Sequence, residues 1–264
     1  MPIAYPIYQV DAFTNQTFGG NPAAVVPLDA WLPDEVLQKI ALENNLSETA
    51  FFIPTKEGFH LRWFTPTVEI NLCGHATLAT SYVIFNELDY KRDLIKFESR
   101  SGELIVAKKD NLLTLNFPAW QYTKIDLDDR VSVALGANPI ELYDAPDWLA
   151  VFEHEDIIQN MTPDMLALSK IKECRGIIVT APANDKEVDF ISRWFGPNEG
   201  IDEDPVTGSA HCVLSPYWAT KLNKKEFNAR QISARGGELH CILDGDRVHI
   251  SGQAVLYMKG EIYV

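Results

Sequence analysis

The sequence predicts an α+β protein made of two similar halves. Two observations carry this. Short strand-like runs are interleaved with a few helices, without regular βαβ alternation. A strand–loop–helix motif also recurs at an offset near half the chain. The length of 264 residues accommodates two ordinary domains of ~100–200 residues each.

Taken in order, residues 3–13 form an apolar strand, and Gly19-Gly20-Asn21-Pro22 turns the chain into a second strand over 23–27. Residues 33–45 read as a helix. Pro33 suits a first turn, and Val36, Leu37, Ile40 and Ala41 make one apolar face. Residues 49–54 and 59–64 are strands rich in aromatic and β-branched side chains. An apolar helix over 75–86 and three further short strands lead to Pro118.

Residues 121–146 are polar and rich in breakers around one short helix, and part of this stretch reads as a crossing between domains. Strands follow over 147–153 and 177–181, with a helix over 163–171 between them. Another strand covers 188–195, and an apolar helix starts near Gly208. Pro216 is expected to kink or interrupt that helix around 212–216. The end of the chain alternates short strands with glycine turns.

The repeat is specific. Arg62-Trp63-Phe64-Thr65-Pro66 recurs as Arg193-Trp194-Phe195-Gly196-Pro197, and Cys73-Gly74-His75-Ala76-Thr77 corresponds to Thr207-Gly208-Ser209-Ala210-His211. Arg193 follows Arg62 by 131 residues and Gly208 follows Gly74 by 134, so one loop differs by three residues. A solenoid would repeat every ~20–50 residues, so the pattern means two duplicated domains. Each copy opens a helix with glycine, where free N–H groups and the helix dipole favour an anion. If the halves face each other, both helix starts would serve one interdomain cleft holding a small carboxylate.

Composition excludes several classes. The formal net charge of −14 disfavours nucleic acid and acidic membrane surfaces as partners. No apolar run approaches the ~20 residues needed to span a bilayer. Cys73, Cys174, Cys212 and Cys241 are scattered, without CxxC pairs, so neither a zinc cluster nor a disulfide framework is expected. His211 and His240 lack helical HxxxH spacing, and no metal is expected. No complete nucleotide-binding glycine motif is present, and no cofactor is expected. The start, Met1-Pro2-Ile3-Ala4, has no basic leader pattern, so the expectation is a cytoplasmic protein with reduced thiols.

Four segments carry a resemblance. Phe18-Gly19-Gly20-Asn21-Pro22-Ala23-Ala24-Val25, Asn45-Leu46-Ser47-Glu48-Thr49-Ala50-Phe51, Cys73-Gly74-His75-Ala76-Thr77 and Glu203-Asp204-Pro205-Val206-Thr207-Gly208-Ser209-Ala210-His211 resemble, in order, the signature segments of the phenazine-biosynthesis PhzF family. The resemblance implies the diaminopimelate epimerase-like fold: two similar domains, each a mixed strand barrel around a central helix, related by a pseudo-twofold internal duplication. The domains are expected at 1–120 and 121–253; the resemblance implies that 254–264 returns to the first, and it suggests a homodimer.

The resemblance also implies roles. Glu48 is the proton carrier, and partial desolvation would raise its pKa into a useful range. His75, expected to be neutral because the helix dipole opposes its protonation, and Asp204 tune and orient it. Glu203 and Asp202 are adjacent, and only the resemblance selects Asp204. Ser209, with the backbone of Gly74 and Gly208, would hold the substrate. Asn21 would add an amide contact, although a turn role after Gly-Gly fits it equally. Cys73 is expected to be a packing residue, because i, i+2 spacing should not present it to His75.

The function expected is a cofactor-independent isomerase of the PhzF type, moving a proton between carbons of a small carboxylated substrate. The family's named substrate is a dihydro-hydroxyanthranilate. The alternative is a non-catalytic ligand-binding or protein-interaction protein on the same fold. A racemase or epimerase is disfavoured, because Thr207 stands where a second thiol would be needed.

Overall fold

The computed structural model describes residues 2–264. The chain divides into two compact units. Unit 1 takes in residues up to Asn116 together with Ser251–Val264, and unit 2 is Phe117–Ile250. The first boundary therefore falls four residues before the expected 120/121, and the returning segment begins at 251 rather than 254.

Unit 1 opens with β1 (Ala4–Ala12), β2 (Asn21–Pro27), α1 (Asp34–Asn44), β3 (Glu48–Pro54), β4 (Phe59–Phe64) and β5 (Glu69–Ile70). Then come α2 (Gly74–Asn86), β6 (Leu94–Ser99), β7 (Gly102–Lys109) and β8 (Leu112–Pro118). Unit 2 continues with β9 (Thr123–Ile125), α3 (Asp129–Leu135), β10 (Glu141–Asp144), β11 (Trp148–Val151), α4 (Glu155–Gln159) and α5 (Met165–Leu168). It goes on through β12 (Ile177–Pro182), β13 (Phe190–Gly196), β14 (Ile201–Glu203), α6 (His211–Leu222), β15 (Glu226–Gln231), β16 (Gly237–Asp244) and β17 (Arg247–Gly252). The last strand, β18 (Ala254–Tyr263), pairs antiparallel with β1 in unit 1.

The two units have the same pairing pattern. In unit 1, β18–β1 and β1–β2 are antiparallel, β2–β3 parallel, β3–β4 antiparallel, β4–β6 parallel and β6–β7 antiparallel. In unit 2, β9–β10 and β10–β11 are antiparallel, β11–β12 parallel, β12–β13 antiparallel, β13–β15 parallel and β15–β16 antiparallel. Each unit also carries a short antiparallel spur, β5 on β4 and β14 on β13. The duplication is thus a duplication of topology.

The repeated arginine explains itself. Arg62 donates from Nε and Nη2 to both oxygens of Glu69 at 2.7 Å, and its guanidinium lies over Phe64. Arg193 does the same to Glu203 at 2.7 and 3.0 Å, and lies over Phe195. In both copies a bidentate pair ties the spur to the strand. Seven residues separate Arg62 from Glu69 and ten separate Arg193 from Glu203, so the three-residue difference lies inside this loop. The longer loop contains a 3-10 turn over Pro197–Glu199.

In unit 1, α2 is the central helix: ten of its thirteen residues are buried, and it packs against β1, β2 and β3. Thr77, Thr80 and Ser81 tolerate that burial because their hydroxyls donate to carbonyls one turn back. The amphipathic α1 covers the outer face, its Leu37, Ile40 and Ala41 packing with Ile7, Val26, Phe51 and Phe64. In unit 2, α6 is buried from His211 through Ser215, and Trp218 stacks on Phe190 at 5.4 Å. The helices α3, α4 and α5 supply a separate core with Trp148, Ile177 and Phe195.

Three local expectations are corrected. Residues 121–146 hold β9, the expected short helix as α3, and β10, all part of unit 2, so the crossing expected in part of this stretch lies earlier, between Asn116 and Phe117. The helix expected over 163–171 is only Met165–Leu168, preceded by the separate α4. Pro216 does not interrupt α6, which runs continuously from His211 to Leu222. Proline removes the N–H that would bond to the Cys212 carbonyl, and the Trp120 N–H takes that carbonyl instead, at 2.9 Å. No helix among the described residues is long and apolar enough to cross a membrane.

Candidate active site

Unit 1 brings Asn21, Glu48, Cys73 and His75 together. Gly20 makes the turn into Asn21: its φ is +60°, and a Cβ there would sit 2.1 Å from the Ala12 carbonyl oxygen. Helix α1 stops at Asn45, in the left-handed conformation, so β3 begins at Glu48, beside Ala23 of β2. His75 is the second residue of α2. No side chain caps that helix, because Cys73 occupies the N-cap.

Oε2 of Glu48 lies 3.0 Å from Nε2 of His75. Both side chains are buried, and neither atom has a well-aligned hydrogen bond to any described residue. The pair is a close electrostatic contact rather than a saturated hydrogen bond. The other imidazole nitrogen, Nδ1, is 3.1 Å from the Asn21 amide nitrogen and 3.5 Å from Cys73 Sγ. Asn21 therefore does more than shape a turn. When His75 is protonated, rotation of the amide presents the Asn21 oxygen to the Nδ1 proton.

Two expectations change here. Burial works against a charged His75, but the Cys73 sulfur and the Glu48 carboxylate outweigh it and hold the imidazole well above its ordinary pKa. Since the Cys73 thiol is itself pushed up to about 11 by burial and by Glu48, it is neutral at neutral pH. The shift of His75 is therefore upward, opposite to the one expected from the helix dipole, with Cys73 and then Glu48 as its causes. Cys73 also does meet His75. It has extended backbone angles, φ −143° and ψ 116°, so helical spacing does not govern it.

Glu48, Cys73 and His75 have ligand atoms within 4.8 Å of one another, as a divalent metal would require. Ligation would need a deprotonated Cys73 and a neutral His75, and both run against their surroundings. His211 is a core histidine. Its Nδ1 faces the Thr207 carbonyl at 3.0 Å, and burial lowers its pKa to about 4.

Unit 2 brings Asp204, Gly208 and Ser209 together on one braced loop. Asp204 is buried and accepts from Thr207 Oγ1 at 2.6 Å. Glu203 is committed to Arg193, and Asp202 is exposed, so the geometry separates the three acidic residues that sequence left adjacent. Gln231 was missed by sequence reasoning. Fully buried, it donates to the Asp204 carbonyl and accepts from the Thr207 N–H, each at 2.8 Å. Ser209 is partly exposed, and its hydroxyl lies 3.4 Å from Arg175 Nη2. Arg175 was missed as well, since nothing near it in the sequence marks it.

Comparisons with known proteins agree with one another. The family model described as phenazine biosynthesis-like protein (PhzC-PhzF) matches residues 10–260. A Pseudomonas aeruginosa protein named as an uncharacterised isomerase is 50% identical over 258 residues, covering 98% of each chain. A solved PhzF-family phenazine biosynthesis protein from Enterococcus faecalis superposes with a TM-score of 0.97 at 46% identity, covering 99% of this chain and 100% of that one. A hydroxyproline epimerase from Agrobacterium vitis, at 11% identity and a TM-score of 0.66, covering 99% of this chain and 93% of that one, shares the fold alone.

Proposed function

Because the chain belongs to the phenazine biosynthesis-like PhzC-PhzF family, we propose that it is an isomerase that moves a proton between two carbons of a small carboxylated substrate. One observation carries the reading above all: the buried contact of Glu48 Oε2 with His75 Nε2, neither having another aligned partner. A buried carboxylate is costly unless paired, and His75 is the group placed against this one.

Glu48 is the proton carrier in this reading. Its carboxylate takes the proton from one substrate carbon, leaving the electron pair to delocalise in the substrate, and returns the proton to another carbon. No atom is gained or lost. His75 stabilises the carboxylate before and after transfer, and Asn21 holds the imidazole from its far side. In unit 2, Asp204 is held by Thr207 and Gln231, and Ser209 is partly exposed. Cys73, a neutral buried thiol, carries no step.

The test is proton exchange in D2O with a dihydro-hydroxyanthranilate as the first substrate, read by NMR. Deuterium should enter a carbon-bound position with the wild type and fail to enter with Glu48→Gln. Binding without exchange in the wild type would replace this reading with that of a non-catalytic binding protein.

A further inference from the structure

The strand registers show what each copy of the duplication has done with the same position. Thr49 pairs with Phe64 in unit 1, and Ile177 pairs with Phe195 in unit 2. The residue just before each is Glu48 in one copy and Gly176 in the other. A side chain at 176 is excluded, since a Cβ would lie 2.6 Å from the Trp194 ring and 2.8 Å from the Phe195 carbonyl oxygen. The second copy therefore has no carboxylate where the first has its proton carrier. It has Arg175 one position earlier. Arg175 reaches Ser209, the counterpart of His75, as Glu48 reaches His75.

We infer that Arg175, pinned by Asp147 beside Ser209, is a binding site for a small carboxylate. The choice of ligand rests on the isomerase reading above, whose substrate carries a carboxylate. Asp147 has no exposed side-chain surface, and it accepts from Arg175 Nε at 2.9 Å and from Nη2 at 2.6 Å. That bidentate pair fixes the plane of the guanidinium. Arg175 keeps 40% of its own side-chain surface exposed, and its Nη1 makes no hydrogen bond to any described residue. Its guanidinium carbon lies 5.9 Å from the centre of the Trp194 ring. A guanidinium anchored along one edge by a buried carboxylate, with donors left over beside a hydroxyl, is preorganised for a second carboxylate. Arg175 pairs with Asp147 at no net charge, so the recognition comes from directed N–H donors. Asp147 is a positioning residue: it acts only through Arg175.

The probes are 3-hydroxyanthranilate and its neutral carboxamide, titrated by calorimetry. Wild type should bind the acid at least about tenfold more tightly than the amide, as charge-assisted bonds require. Arg175→Gln should bring that ratio to about one, and Arg175→Lys should keep part of it. Because Arg175→Gln strands a buried Asp147, the pair Asp147→Asn/Arg175→Gln is measured alongside it, with thermal melts to verify folding. A preference that survives in the folded double variant overturns the inference. So does a wild type that binds neither probe or does not discriminate. Carbon exchange in D2O keeps the two readings apart. If exchange is present and KM is unchanged in the double variant, Arg175 is wrongly assigned and the isomerase stands. If acid preference depends on Arg175 but no exchange occurs, the isomerase reading falls and the carboxylate site remains.

Discussion

Glu48 and His75 face each other at 3.0 Å in a buried site, and the imidazole is held well above its ordinary pKa. The two groups belong to different elements. Strand β3 starts at one and α2 has just begun at the other, so their meeting depends on the packing of helix against sheet. Glu48 helps to hold the proton on His75, and removing either group changes both chemistry and stability.

Glu48→Gln keeps the size of the side chain and removes its ability to accept a proton. Turnover should fall by about a hundred- to ten-thousandfold, the usual worth of a positioned acid–base group, while substrate affinity changes little. Steady-state kinetics alongside calorimetry separate the two effects. Undiminished turnover in the variant would show that the proton is carried elsewhere.

The raised pKa of His75 fixes a sign for stability. The folded state holds the proton more tightly than the unfolded chain, whose histidine titrates near ~6.5. The stabilisation is complete below that pH and is lost as pH rises through the raised folded value. In Glu48→Gln the raising carboxylate is gone, so the difference in unfolding free energy between wild type and variant should shrink over the same alkaline window. Urea denaturation at a series of pH values measures it. A difference that stays constant with pH contradicts this account.

Burial, with Glu48 nearby, pushes the Cys73 thiol up to about 11. It should react slowly with alkylating reagents at neutral pH. Cys73→Ala should retain turnover within about threefold and lose on the order of 1 kcal/mol of stability, as small buried truncations do. Loss of all activity in a folded Cys73→Ala would bring thiol chemistry back.

Arg193 serves unit 2 alone. Besides its bidentate pair with Glu203 it donates to the carbonyls of Ile158 and Met161, at 3.0 and 2.8 Å. Arg193→Met strands a mostly buried carboxylate and two acceptors, and should cost about 3 kcal/mol. Denaturant unfolding gives the number, and a cost below about 1 kcal/mol would mean that the repeated arginine is dispensable to the spur.

Much was legible in the chain itself. The Arg-Trp-Phe repeat marked the duplication, and a bidentate ion pair in each copy shows why arginine recurs. Glycine before His75 and before Ser209 marked the two helix starts. The strands of both units could be read locally, because alternation and β-branched content are local signals. That Pro216 does not interrupt α6 could not be read locally, because Trp120, distant in sequence, satisfies the freed Cys212 carbonyl.

What the sequence by itself determined was therefore periodicity, repeat and residue type: two matched halves, their helix starts and a short roster of polar candidates. Only the tertiary structure decided which of those candidates touch. It set Glu48 against His75, gave Cys73 an extended backbone that turns it to the imidazole, and committed Glu203 to Arg193 while Asp204 went to Thr207. It also brought Arg175 to Ser209 across 34 residues of chain. The physical reason is that a charge state depends on distance and burial through the surrounding dielectric. Both are properties of the packed fold, which no local pattern encodes.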